Sequence, residues 1–319
     1  MKTDEYLLSI VIPVYNAEST VARALDFVEK HKSDIKTEVI IINDGSTDNT
    51  KEVCEKYLKN NKKQNVVIRL VNQQNAGHGS AINYGIKNAK GKYLRVLDAD
   101  DHLDGKVFEK YLEFLSECDS DLVCSDYSEI NGRKRERFYW YNGKESFVDK
   151  KYDDVINRTS PYLLPCAAVK TEVIRNARVL IDEKCRYDDQ EYDFLIIQVC
   201  QTVSYFADSV YNYVVGNINQ SMSQENLKKN IRDHQKVVEW LVKHYYEIKL
   251  AGKKSKFVFD KIIIPLCHYQ YYIAVQLKKS RKDFLSFDKF LKKYKKVYLH
   301  PGVAGKRLKA HRVSKGLFI

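Results

Sequence analysis

Three carboxylates, Asp98, Asp100 and Asp101, stand together where the apolar run Tyr93-Leu94-Arg95-Val96-Leu97 ends. Like charges this close are tolerated when they are solvated or when a cation lies between them. An Asp-x-Asp at a strand end brings two carboxylates to one point. That suits a divalent ion such as Mg2+, which is usually held by one or two carboxylates plus substrate phosphates. Taken alone, the same residues would read as an acidic turn. A second acidic cluster, Asp188-Asp189-Gln190-Glu191, opens the apolar stretch Phe194-Leu195-Ile196-Ile197. Its carboxylates could move a proton, or could simply be first-turn acids favoured by a helix dipole. His78 lies between Gly77 and Gly79. It is either a loop residue or part of a segment whose glycines let the backbone approach a phosphate.

The elements that must position these groups are legible in the apolar pattern. Leu7 to Val14 is a continuous apolar run of strand length, as expected for a strand buried on both faces of a parallel sheet. Val21, Ala24, Leu25 and Val28 then recur at helical spacing. Residues 38–42 form a second strand, followed by the turn Asn43-Asp44-Gly45-Ser46-Thr47-Asp48 and a helix striped by Val53, Tyr57 and Leu58. A third strand covers 66–71, and a glycine-punctuated segment, Asn75 to Gly85, leads into a short helix. Strands alternating with helices at this pace predict a parallel α/β sheet, whose ligands lie beyond the carboxyl ends of the strands. Tyr15-Asn16, Asp44 to Asp48, Asn75 to Asn83 and Asp98 to Asp101 each follow a strand, so they should share one rim. Beyond residue 120 the pattern is less regular. A strand is expected at 121–125, loops or short antiparallel strands at 131–145, a helix and a strand within 154–176, and two strands between Val203 and Val215.

Charge divides the chain. Residues 1–225 carry 30 Lys and Arg against 36 Asp and Glu, whereas 226–319 carry 24 against 6. The expected organisation is a catalytic domain at 1–225 and a basic helical domain at 226–319. The seven cysteines are scattered without a Cys-x-x-Cys pair, which argues against a disulfide framework and favours a reducing, cytoplasmic setting. Met1 to Glu5 runs into a strand without a cleavable signal, and no apolar run reaches the roughly 18 residues of a membrane span.

Read together, Val11-Ile12-Pro13-Val14-Tyr15-Asn16, Ile42 to Asp48, Asn75-x-Gly77 through Asn83-x-Gly85, Leu97 to Asp101 and Asp189-x-Glu191-Tyr192 resemble the family-2 glycosyltransferases of the GT-A fold. Tyr211-x-Tyr213 and Gln220-Ser221 are similar to that family's late strand and turn. The likeness covers roughly residues 6–225. It implies a mixed, mostly parallel sheet and transfer of a sugar from a nucleotide-sugar donor, UDP-linked, to an acceptor hydroxyl with inversion. By position, Pro13, Tyr15 and Asn16 would line the base pocket and Asp44 would accept a hydrogen bond from the base. Asn75, Gly77, His78 and Asn83 would border the donor. Asp98 would contact the sugar and, with Asp100, hold Mn2+ or Mg2+, while Asp189 would be the catalytic base. Two departures stand out. Ile82 occupies a position where many members carry an arginine, and the base motif is Asp188-Asp189 rather than Glu-Asp. The Gln-x-x-Arg-Trp signature of processive synthases is absent, so single additions are expected. Competing readings are an inactive nucleotide-sugar-binding partner and a nucleic-acid-binding tail. No nucleic-acid fold signature accompanies that tail, so nucleic acid is not an expected partner.

The acceptor is expected to be a carbohydrate, free or lipid-linked. Phe287, Leu291, Tyr294 and Tyr298 would share one side of a basic helix. That helix suits an anionic membrane surface, a dimer contact, or packing onto the chain's own core with the lysines solvated.

Overall fold

The computed structural model describes residues 6–216, 223–248 and 250–316. Gln220-Ser221 lies outside the described residues. The chain divides into two compact units, Met1–Gly216 and Asn217–Ile319.

The first unit runs through β1 (Tyr6–Val14), α1 (Val21–Ala24), α2 (Asp26–Lys30), β2 (Thr37–Asp44), α3 (Thr50–Asn60), β3 (Val66–Gln73), α4 (His78–Asn88), β4 (Gly91–Val96), β5 (His102–Leu103) and α5 (Gly105–Glu117). It continues through β6 (Leu122–Asn131), β7 (Lys134–Phe138), β8 (Phe147–Lys151), α6 (Tyr152–Val155), β9 (Ala167–Lys170), α7 (Thr171–Asn176), α8 (Asp189–Val199) and β10 (Thr202–Val214). The strands form one sheet in the order β3-β2-β1-β4-β9-β6-β10-β5, with β7 on β6 and β8 on β10. Pairing is parallel through β3, β2, β1 and β4 and again between β6 and β10; β9 is antiparallel to both its neighbours. The sheet is therefore mixed and mostly parallel.

β2 is buried along its whole length and β1 at all but one position, because they are interior strands covered on both faces. β3 is half exposed, as an edge strand should be. Under β1, β2 and β4 lie Leu8, Ile10, Ile12, Val39, Ile41 and Tyr93, packed with Phe27, Phe108 and Leu112 from the helices.

Two local expectations are corrected. The first helix is broken at Leu25, whose carbonyl accepts a hydrogen bond from the Tyr57 hydroxyl (2.8 Å). The stretch Val203 to Val215 holds one long strand rather than two. Its register against β6 slips between Phe206 and Ser209 and again before Tyr211. A bulge of this kind bends a strand without ending it. Arg137 grips the bulge, donating to the Ala207 carbonyl at 2.8 Å while paired with buried Asp126 at 2.7 Å.

The second unit is helical: α9 (Gln224–Lys229), α10 (Ile231–Glu247), α11 (Gly252–Val258), α12 (Ile264–Tyr272), α13 (Arg281–Leu291), α14 (Lys295–Tyr298) and α15 (Lys306–Val313). A wider π turn, Phe259–Ile263, precedes α12, where Pro265 cannot supply an ordinary helical bond. The supposed single stripe is split. Phe287 and Leu291 belong to α13 and are fully buried, whereas Tyr298 lies on α14. The ring of Phe287 meets Tyr271 edge-on at 5.0 Å, so this face is spent on the unit's own core. The lysines at 282, 289, 292, 293, 295 and 296 are left on the surface. All seven cysteines are buried, and none of them is in a disulfide.

Candidate active site

The carboxyl ends of β1, β2, β3 and β4 face one rim, and the polar clusters that follow them are laced together there. Asn16 adopts a left-handed backbone (φ 49°), and its side-chain oxygen accepts the Thr47 N–H at 2.8 Å. Its own N–H donates to Ser46 Oγ at 3.0 Å. Pro13 is buried within β1, while Tyr15 is 52% exposed on the rim, which excludes a core role for its ring.

Asp44 ends β2 almost fully buried. Oδ1 accepts from Gln73 Nε2 and Ala76 N–H, and Oδ2 from Gly77 N–H, each at 2.8 Å. A carboxylate offers about four lone-pair sites, so one is left on Oδ2. These bonds fix the turn carrying exposed Asn75 to the end of β2. Gly77 (φ 93°) then begins α4. Asn83, expected at the donor, is occupied elsewhere: its amide donates to the Ile181 carbonyl (2.9 Å) and accepts the Ile181 N–H (3.0 Å). In this structure it is a strut for the segment leading to the second acidic cluster.

That segment folds over the start of α4. Lys184 N–H donates to the Ala76 carbonyl at 2.7 Å, and Asp182 N–H to Glu191 Oε2 at 2.8 Å. Gly79 makes the approach possible. A Cβ there would lie 2.4 Å from the Asp182 carbonyl oxygen and 2.8 Å from Asp188 Oδ2. As a result His78 spans the two acidic clusters, with Nδ1 3.1 Å from Asp188 Oδ1 and Nε2 3.1 Å from Asp98 Oδ1. Burial opposes protonation of this imidazole, but the carboxylates of Asp188 and Asp98 outweigh it and hold its pKa well above the ordinary value.

The acids differ in situation. Asp188 is 4% exposed and engaged with His78, whereas its neighbour Asp189 is half-buried at the first turn of α8. Burial, and then the charge of Asp188, raises the Asp189 carboxyl above its usual range. Asp98 is half-buried, and at Asp100, which keeps an exposed face, partial desolvation of the carboxyl and then the charge of Asp98 raise the pKa above the usual carboxylate value. Asp101 plays another part. Fully buried, it accepts the Tyr211 hydroxyl at 2.6 Å and the Val214 N–H at 2.7 Å, while the Asp98 N–H donates to Tyr211 Oη at 3.3 Å. It ties the acidic turn to the end of β10. The sequence reading missed this clamp, for which the triple-acid run was the only available signal.

Among the described residues, no group of three or more His, Cys, Asp and Glu side chains is arranged to hold a metal unaided. Mg2+ and Mn2+ sites completed by substrate phosphates need only one or two protein carboxylates. Exposed Asp100 and half-buried Asp98 fit that requirement.

A mostly parallel α/β sheet whose acidic strand end faces a helix N-terminus and a second carboxylate pair is suited to hold a phosphorylated ligand beyond the strand ends. Residues 9–176 match the glycosyl transferase family 2, and the chain belongs to that family. It is 25% identical to glycosyltransferase GlyG of Streptococcus pneumoniae over 218 residues, 65% of this chain and 70% of that one. It is 28% identical to a poly(ribitol-phosphate) beta-glucosyltransferase of Bacillus spizizenii over 220 residues, 68% of this chain but 33% of that one. Among solved structures, S. aureus TarS in complex with UDP-GlcNAc shares the fold at a TM-score of 0.60 and 19% identity, covering 95% of this chain and 92% of that one. The chain is thus a glycosyltransferase.

Proposed function

We propose that the enzyme transfers a sugar from a UDP-linked donor to a hydroxyl of a bacterial surface polymer or its lipid-linked precursor, with inversion. The observation that carries this reading is the His78 bridge. It sets Asp98, at the donor end of the sheet, opposite the pair Asp188-Asp189. The UDP-GlcNAc bound to TarS and the polyol-phosphate substrate in the name of the Bacillus relative support the donor and acceptor classes.

In this reading Tyr15 stacks on the base, and the remaining lone pair of Asp44 accepts from it. Asp98 and Asp100 hold the divalent ion, which when bound neutralises charge on the departing diphosphate. Asp189 accepts the proton of the acceptor hydroxyl as that oxygen attacks the anomeric carbon from the opposite face. Asp188 is engaged with His78 and serves to orient it. The exposed lysines of the second unit support a further proposal, that the enzyme works against an anionic membrane surface.

The test is UDP release from a panel of nucleotide sugars, with and without Mn2+. The acceptors are poly(ribitol phosphate), poly(glycerol phosphate) and 4-nitrophenyl glycosides. Turnover with one UDP-sugar, at least about a hundredfold lower in Asp100→Ala, is expected. Binding of UDP-sugars without any turnover would instead identify an inactive partner subunit.

A further inference from the structure

Residues 159–166, Thr-Ser-Pro-Tyr-Leu-Leu-Pro-Cys, connect a short turn after α6 to β9 and contain no charged side chain. Two buried polar side chains nevertheless hold this loop. Arg95, next to last in β4 and 0% exposed, donates from Nη2 to the Pro165 carbonyl at 2.6 Å. Its Nε and Nη1 find no hydrogen-bond partner among the described residues, and the rings of Tyr111 and Tyr211 stand 5.3 and 5.8 Å from the guanidinium. Asp193 of α8, 3% exposed, accepts the Leu163 N–H at 3.1 Å, and its other oxygen is likewise without a partner. Buried polar groups left partly unpaired are costly, and here two of them act on one uncharged loop.

Both anchors come from elements that carry the site. Arg95 precedes Asp98 on the strand that ends in the acidic turn, and Asp193 lies one turn beyond Asp189 on α8. The loop is therefore referenced to the donor half and to the base half at once. Ser160 N–H adds a bond to the Trp140 carbonyl (2.7 Å), and Cys166 O accepts from Ser125 N–H (3.0 Å). Between these fixed points Tyr162 projects, 56% exposed. Its neighbour Leu163 is the residue bonded to Asp193, so the loop tip is held to the same helix that carries Asp189.

We propose that Tyr162 is the acceptor-contacting residue of this enzyme, receiving the sugar or polyol unit that bears the attacking hydroxyl, and that Arg95 and Asp193 are its positioning residues. An exposed aromatic face with a phenol hydroxyl suits a neutral polyhydroxyl ligand, and the loop carries no cationic side chain to pair with a phosphate. Rigid anchoring to Asp189 serves a reaction whose rate depends on placing the attacking oxygen closely.

This rests on the glycosyltransferase reading above, and the experiment separates the two. With the full chain, the preferred UDP-sugar and whichever acceptor of the panel stimulates UDP release most, KM for acceptor and for donor are measured beside slow donor hydrolysis by water. Tyr162→Ala is expected to raise the acceptor KM about tenfold, with donor KM and hydrolysis unchanged, and Tyr162→Phe to stay within about threefold of the parent. Asp193→Ala should behave like Tyr162→Ala, whereas Asp193→Asn, which keeps an oxygen for Leu163 N–H, should restore the parental acceptor KM. An unchanged acceptor KM in Tyr162→Ala overturns the proposal. So does an equal loss in donor KM and hydrolysis, which would mark a merely structural residue. If the parent protein neither hydrolyses nor transfers any UDP-sugar, the proposed UDP-sugar reaction itself fails and takes this one with it.

Discussion

Of two adjacent aspartates, one is buried against an imidazole and the other is half-buried at the start of α8, and the proposed reaction gives them different work. Asp189→Asn keeps the shape of the side chain but cannot accept a proton. Transfer is expected to fall at least about a hundredfold while calorimetric affinity for the UDP-sugar stays near the parental value. Finding Asp188→Asn dead and Asp189→Asn active would move the base by one residue. Because burial and the charge of Asp188 raise the Asp189 carboxyl, the acid limb of the kcat–pH profile should lie above the ordinary aspartate value of about 3.9. Asp193 supports a stability prediction of definite sign. Burial, and then the charge of Asp189, holds its carboxyl well above the usual value. The folded protein therefore binds a proton that the unfolded chain has lost, and stability falls as pH rises above about 3.9 toward the folded value. Asp193→Asn carries no such loss, so its melting temperature should gain on the parent as pH is raised from about 4 to about 8. A constant difference across that range would show that Asp193 is already ionised in the fold.

At the scale of elements, the site depends on segment 181–188 lying on the start of α4. Gly79 is the contact point, and its Cβ position is already filled by the Asp182 carbonyl and by Asp188. Gly79→Ala must push the two apart. Overpacking of this kind typically costs about 1–3 kcal/mol, and the displaced segment carries Asp188 and leads directly into Asp189. A lower melting temperature and at least a tenfold loss of kcat are expected together. A variant that keeps full turnover would show that the second acidic cluster need not sit so close to His78. Asn83, bonded at both ends of its amide to Ile181, holds the same segment from the next turn of α4.

The charge division of the chain belongs to the whole molecule. In the basic unit Phe284, Phe287 and Leu291 form its core, so a membrane contact cannot use them and must act through the surface lysines. Such attraction is worth about 1 kcal/mol per basic residue near an anionic surface and is screened by salt. Sedimentation with phosphatidylserine-containing vesicles at low salt, lost in high salt, with zwitterionic vesicles, or after Lys289→Glu, Lys293→Glu and Lys295→Glu together, is the expected outcome. Protein that stays in the supernatant at low salt would remove the membrane from the account. Charge reversal is the better probe than truncation, because deleting residues 280–319 would open the core of the unit.

Local patterns in the sequence were enough to define the elements and the rim. Uninterrupted apolar runs specify β1 and β2, since a strand covered on both faces has no polar side to show. The run Leu97 to Asp101 marks a strand end, and glycines mark the turns that approach α4. Partners were beyond reach, because spacing along the chain says nothing of which distant segment folds against a given residue. That His78 would meet Asp188 across 110 residues, and that Asn83 would be taken up by Ile181, follow only from the path of the chain. The same holds for Asp101, the third acid of the strand end, whose role showed only once Tyr211 and Val214 enclosed it. Arg95 offered a hint, a cation inside an apolar strand, but its meaning depended on a loop 70 residues away. The two strands read in Val203 to Val215 became one because Arg137 secures the bulge between them. In each case hydrophobic periodicity determined the element, and the pairing of buried polar groups, decided only in the tertiary structure, determined what the residue does.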